Sequence, residues 1–173
     1  MKKILSFLFL LFVSLASSGN TPHRSNHLYA LFQGYDKDME SEYGVYVIRH
    51  TITAMPKVKK IAVDFYEYSE VEIPQGRFLL HQVTEELLKR INMCKYVRPF
   101  LDHYPLTEED IEVSISFLDP KTHKGYTHGK LAYATLLKGN VHYSEYHQPK
   151  ERAKEIHQEK YIPSRLYIKS FER

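Results

Sequence analysis

The sequence predicts an α+β domain, an antiparallel sheet of about four to six strands packed on one main amphipathic helix. Three observations carry that expectation. Ile111, Val113, Ile115 and Phe117 alternate with Glu112, Ser114 and Ser116, the period of a strand with one apolar and one wet face, as in an antiparallel sheet covered on one side. Leu80, Val83, Leu87, Ile91 and Cys94 recur at steps of three and four, the period of a helix with one apolar stripe. Strand-like runs stand on both sides of that helix, and two of those after it meet at Gly139-Asn140. Hairpin connections of this kind favour α+β over a doubly wound parallel sheet.

The elements follow in chain order. Lys2 and Lys3 precede an apolar run over residues 4–13, broken only by Ser6, and Ser14, Ala16, Ser17, Ser18 and Gly19 supply small side chains after it. Charge, apolar run and small-residue site in that order read as a secretory signal over residues 1–18. The run stops at Ala16, short of the ~20 apolar residues a spanning helix needs. Cleavage is therefore expected, leaving a mature chain without a transmembrane helix, periplasmic or secreted. Residues 19–27 are polar and expected to be flexible, and residues 28–173 to form a single α+β domain.

Leu28 to Phe32 suggests a short helix stopped near Gly34. Val45, Tyr46, Val47, Ile48, Thr51, Ile52 and Thr53 favour extended structure, ended by Pro56. In the next strand Ile61, Val63 and Phe65 share one face, and Asp64, Tyr66 and Tyr68 the other. Pro74 and Gly76 introduce the main helix, on which Glu85 with Lys89 and Glu86 with Arg90 fall at i,i+4 and can pair. Pro99 closes that region. After the strand at residues 111–118 comes a polar loop over 119–130. Strands over 131–138 and 141–147 then form a hairpin. A type II′ turn at Gly139-Asn140 would place Leu136 opposite Tyr143 and Tyr133 opposite Tyr146. Residues 149–160 are charged and suggest a short helix started by Pro149; residues 165–171 suggest a last strand.

Charge and motifs exclude several functions. The chain has 24 basic and 21 acidic residues, and loss of Lys2 and Lys3 brings it near neutrality. The charges are mixed along the sequence, which leaves no footprint for nucleic acid. Seven glycines never fall at a phosphate-loop spacing, no Gly-x-Ser-x-Gly elbow is present, and no cofactor is expected. Cys94 is the only cysteine, so no disulfide closes within the chain. Its place on the apolar stripe, near a helix C-terminus that disfavours a thiolate, reads as a buried structural thiol rather than a nucleophile served by His81 or His103.

Two residue types are over-used. Of ten histidines, His123 and His128 share a loop with Asp119. These three form the candidate site of the alternative reading, a small extracytoplasmic hydrolase, possibly metal-dependent. Their spacing matches no metal motif, however, and surface histidine explains them as well. His142 and His147, an odd number of residues apart, point to opposite faces of a strand. Fourteen tyrosines and no tryptophan are the second excess. Tyr is amphipathic and suits interfaces. Tyr66, Tyr68, Tyr133 and Tyr146 are the candidate binding residues, for another protein or peptide.

Asp38-Met39-Glu40 with Glu42-Tyr43-Gly44, Arg98-Pro99-Phe100-Leu101, Tyr104-Pro105 and the strand Ile111-Glu112-Val113-Ser114-Ile115 lie within residues 36–147. On these the chain resembles a family of small exported proteins of chlamydia-related and other intracellular bacteria. The resemblance implies a host-directed context and no activity, ligand or site residue. The expected function is that of an exported, non-catalytic binding domain. A second alternative is a structural subunit of an envelope assembly.

Overall fold

The computed structural model describes residues 22–127, 130–147 and 152–162. The signal read over 1–18, the strand read over 165–171 and His128 lie outside them. The elements are α1 (Pro22–Tyr43), β1 (Tyr46–Ala54), β2 (Val58–Glu67), α2 (Ile73–Met93), a 3₁₀ turn (Arg98–Phe100), β3 (Ile111–Phe117), β4 (Tyr133–Leu137), β5 (Asn140–His147) and β6 (Arg152–Lys160). The six strands lie side by side in chain order. All neighbours are antiparallel except β2 and β3, which run parallel with Ile61 beside Ile111 and Glu67 beside Phe117. The fold is thus α+β with a mostly antiparallel sheet. The parallel pair escaped the sequence reading because two alternating strands look the same whichever way they run.

α2 makes the crossover that a parallel pair requires. Its stripe of Leu80, Val83, Leu87 and Ile91 is fully buried in one core with Ile61, Val63 and Phe65 of β2 and Ile111, Val113, Ile115 and Phe117 of β3. Cys94 caps the helix and is half-buried, its N–H donating to the carbonyls of Arg90 and Ile91. Of the two expected ion pairs, Glu86–Arg90 forms at 2.7 Å. Lys89 turns to Glu86 instead, at 3.0 Å, and Glu85 accepts the Tyr161 hydroxyl at 2.8 Å.

α1 corrects two expectations. It starts at Pro22, inside the stretch read as flexible, and runs through Gly34 to Tyr43. Leu28, Phe32, Tyr35 and Met39 are all buried, a stripe at steps of three and four that continues past the glycine. One Gly in a helix costs only about 1 kcal/mol, less than burying those side chains returns. The charged run after Asp36 is the outer side of this helix. Tyr35 donates its hydroxyl to the Val83 carbonyl at 2.8 Å, and Arg90 reaches Asp38 at 2.5 Å. Both bonds tie α1 to α2.

The late hairpin keeps its predicted faces but turns earlier. Lys138 and Gly139 both have positive φ, 50° and 68°, the signature of a type I′ turn. Leu136 therefore pairs with Val141, Ala134 with Tyr143 and Tyr133 with Ser144. Tyr146 is a diagonal neighbour of Tyr133 rather than its direct partner.

The charged stretch expected to be a helix is the edge strand β6. It has no apolar stripe with which to anchor a helix, whereas pairing to β5 satisfies its backbone and its charges together. His142 meets Glu155 at 2.6 Å and Lys154 meets Glu145 at 3.2 Å. On the helix side Arg77 of α2 grips Glu159 with two bonds of 2.5 and 2.6 Å, and the Tyr143 hydroxyl donates to the same carboxylate at 2.6 Å. Burial alone would raise the Glu159 carboxyl. The bonds from Arg77 and Tyr143 outweigh that and hold it below its ordinary value.

Gly76, in the first turns of α2, shows how closely helix and sheet approach. A Cβ there would run into Leu131 and lie 3.4 Å from Phe117. Gly76→Ala is therefore expected to destabilise the protein by about 1–3 kcal/mol despite alanine's better helix propensity. Urea unfolding of the two proteins checks this; equal or greater stability of the variant would contradict the packing described.

Candidate functional site

Both helices pack on one side of the sheet, the side of Ile61, Val63 and Phe65. The other side has no helix against it among the described residues, and carries the half-buried even-numbered residues of β3, Glu112, Ser114 and Ser116. One row crosses this open face through all six strands: Tyr46, Tyr66, Ser116, Tyr133, Ser144 and Glu155, each the register partner of the next. Tyr46 and Tyr66 stack with ring centres 5.2 Å apart. Tyr68 meets Tyr66 edge-on at 5.2 Å. Its hydroxyl lies 2.9 Å from Nδ1 of His123, which comes in from the loop after β3.

All four tyrosines singled out in the sequence thus lie on the open face. They form two groups, Tyr66 with Tyr68 and Tyr133 with Tyr146. The β-strand spacing puts Tyr66 and Tyr133 roughly 10 Å apart at the backbone, with small Ser116 between them. The loop over residues 119–127 borders the second group. The Tyr146 N–H donates to the Tyr126 carbonyl at 2.8 Å, and Gly125 lies close to the Tyr133 hydroxyl and the Tyr146 Cβ. Burial is the main cause that raises the phenols of Tyr66 and Tyr133. Tyr68 and Tyr46 add to it at Tyr66, and Tyr146 adds to it at Tyr133.

Away from this aromatic end, the face binds its own charges. Arg49 pairs with Asp64 at 2.6 Å, Lys60 with Glu112, and His142 with Glu155. Ser114 and Thr135 share a hydrogen bond of 3.0 Å. The chemistry on offer is therefore ring faces and hydroxyls rather than free charge.

The candidate metal residues are placed differently. Asp119 turns its Oδ1 back to the amides of Lys121 and Thr122, at 2.6 and 3.2 Å, and His123 faces Tyr68. Among the described residues no group of three or more potential ligands gathers. His81 stacks on Tyr161 and His103 bonds Asp110 at 2.8 Å. No helix among the described residues is long and apolar enough to cross a membrane. The chain matches no family model, no curated protein and no solved structure.

Tyr46 and His123 belong to the aromatic end but were missed as members. Tyr46 required the β1–β2 register, and His123 depends on how a loop folds back, neither of which periodicity supplies.

Raised phenols favour the folded state only while they stay protonated. Their contribution is complete below the unfolded value of 10.0 and is lost as pH climbs through the raised one. Ultraviolet titration of phenolate should show Tyr66→Phe and Tyr133→Phe each removing a late-ionising group. Loss of an early-ionising one would contradict the burial of these rings.

Proposed function

We propose that this protein is a non-catalytic binding domain acting outside the cytoplasm, and that it receives an extended segment of another protein across the aromatic end of its open sheet face. The observation that supports it most is the row of Tyr46, Tyr66 and Tyr133 in one register line of an uncovered face. Tyrosine presents a large rigid surface and a hydroxyl at small entropic cost, which suits polypeptide recognition. The paired charges on the rest of the face favour an uncharged stretch of polypeptide over nucleic acid or a small ion. The export half rests on the order of charge, apolar run and small residues over 1–18.

Peptides selected on the intact protein from a displayed library test the first half. Tyr66→Ala and Tyr133→Ala are each expected to weaken the selected peptides by about tenfold or more. Met93→Ala, at an exposed position on the helix side, should leave them unchanged. Loss with Met93→Ala and none with the tyrosine variants would overturn the assignment of the face. Sequencing the N-terminus of the native protein tests the second half: a start at Ser17 or Gly19 is expected, and retention of Met1 would overturn export by cleavage.

A further inference from the structure

β2 sends Ile61, Val63 and Phe65 to the helix-covered side, and all three are fully buried. The next residue in that series is Glu67, beside Phe117 of β3. A carboxylate thus occupies an apolar position at the carboxyl end of a parallel strand, where the chain leaves for α2. Open sheets leave a crevice at such ends, and a break in the local pattern often marks a functional position. Ser69 donates its hydroxyl to Oε1 of Glu67 at 2.7 Å. Oε2 is buried and has no hydrogen-bond partner; among the described side chains only the Thr84 hydroxyl shares that condition.

Glu67 lines a hollow of about 590 Å³ whose apolar wall is Val71, Pro74, Phe78 and Leu79. Its two other polar members are Gln75 and Glu72. Gln75 accepts the Glu72 N–H at 2.9 Å, and Glu72 lies within the field of Lys130, which itself pairs with Glu70 at 2.6 Å. Burial raises the Glu67 carboxyl, opposed only by the Ser69 bond, with no cation contributing.

We propose that this hollow binds an organic monocation, a primary ammonium or guanidinium group carried on an apolar body. The head meets the carboxylate of Glu67 where that side chain lines the hollow, and the body lies against Val71, Phe78 and Leu79. Such a ligand answers both features of the hollow, its carboxylate and its apolar wall. A half-buried carboxylate with no cation beside it among the described residues is costly, and an ammonium brings a donor and a compensating charge together. An anion would face Glu67 and Glu72. A neutral apolar molecule would cover the wall and leave the carboxylate unmatched. Phe78 is 57 % exposed and offers its ring to a cation as well as to an apolar body. The volume falls within the usual range for small-molecule sites. This hollow lies on the opposite side of the sheet from the tyrosine row, so the two proposals stand or fall separately.

Phenethylammonium titrated into the intact protein at neutral pH, with phenethyl alcohol as its uncharged match, is the test, read by calorimetry and carboxyl-carbon NMR. The ammonium is expected to bind about tenfold or more tighter than the alcohol and to lower the pKa of the Glu67 carboxyl on binding. Glu67→Gln, close in shape, should erase the preference. Phe78→Ala, at an exposed position, should weaken the ammonium while leaving the thermal unfolding curve in place. The Tyr66→Ala and Tyr133→Ala variants should bind it unchanged. Equal binding of the alcohol, an undiminished preference in Glu67→Gln, a Glu67 carboxyl that does not respond, or no binding by the folded protein would each overturn the proposal.

Discussion

The packing of α2 against β2 and β3 is the interaction on which the rest of the molecule depends. Two strands that run the same way cannot be joined by a tight turn, so the chain must cross the sheet, and α2 does so with Leu80, Val83, Leu87 and Ile91 facing inward. α1 is placed by α2 in turn, through the Tyr35 hydroxyl on the Val83 carbonyl and through Arg90 on Asp38. The far edge is placed by it too, because Arg77 holds Glu159 of β6. With both helices drawn to one side, the other side of the sheet is left to polar and aromatic residues. The open tyrosine face is thus a consequence of where the helices go.

The fold was legible wherever burial has a period. The alternation of β3 and the stripe of α2 appear in the structure as read. The faces of the β4–β5 hairpin also survive a two-residue change of register, since an even shift keeps every side chain on its side. Three features were not legible. The direction of β3 relative to β2 leaves no trace in an alternating pattern. The length of α1 was hidden by Gly34, whose local preference loses to a buried stripe on both sides of it. β6 was hidden by its charges, which are solvated or cross-strand paired on an edge strand and so carry neither period.

The candidate site divides along the same line. Tyr66 and Tyr68, and Tyr133 and Tyr146, could be grouped from within a strand or a hairpin. Their relation across β3 depends on the register of three strands, and sequence spacing contains no such information. Glu67 follows a buried series in the sequence but was not singled out there, because an acid at a strand end reads equally well as solvated surface. Its significance comes from the hollow it lines and from the lack of a cation beside it among the described residues, neither of which has a period. Its neighbour Tyr68, one residue on, belongs to the opposite side of the sheet. Adjacent residues thus serve two unrelated surfaces.

The parallel seam also governs how the molecule can assemble itself. On one side of it, β1 and β2 form a hairpin; on the other, β3 to β6 form a meander whose longest connection, residues 118–132, is well short of the crossover over residues 68–110. Joining them requires residues 61–67 to find residues 111–117 across the whole crossover, and the entropy of closing so large a loop is met before its contacts return anything. The seam is therefore the natural late event in folding. Until it closes, the inner edges of β2 and β3 are bare backbone, and those two strands are where a nascent chain has most need of protection from its neighbours.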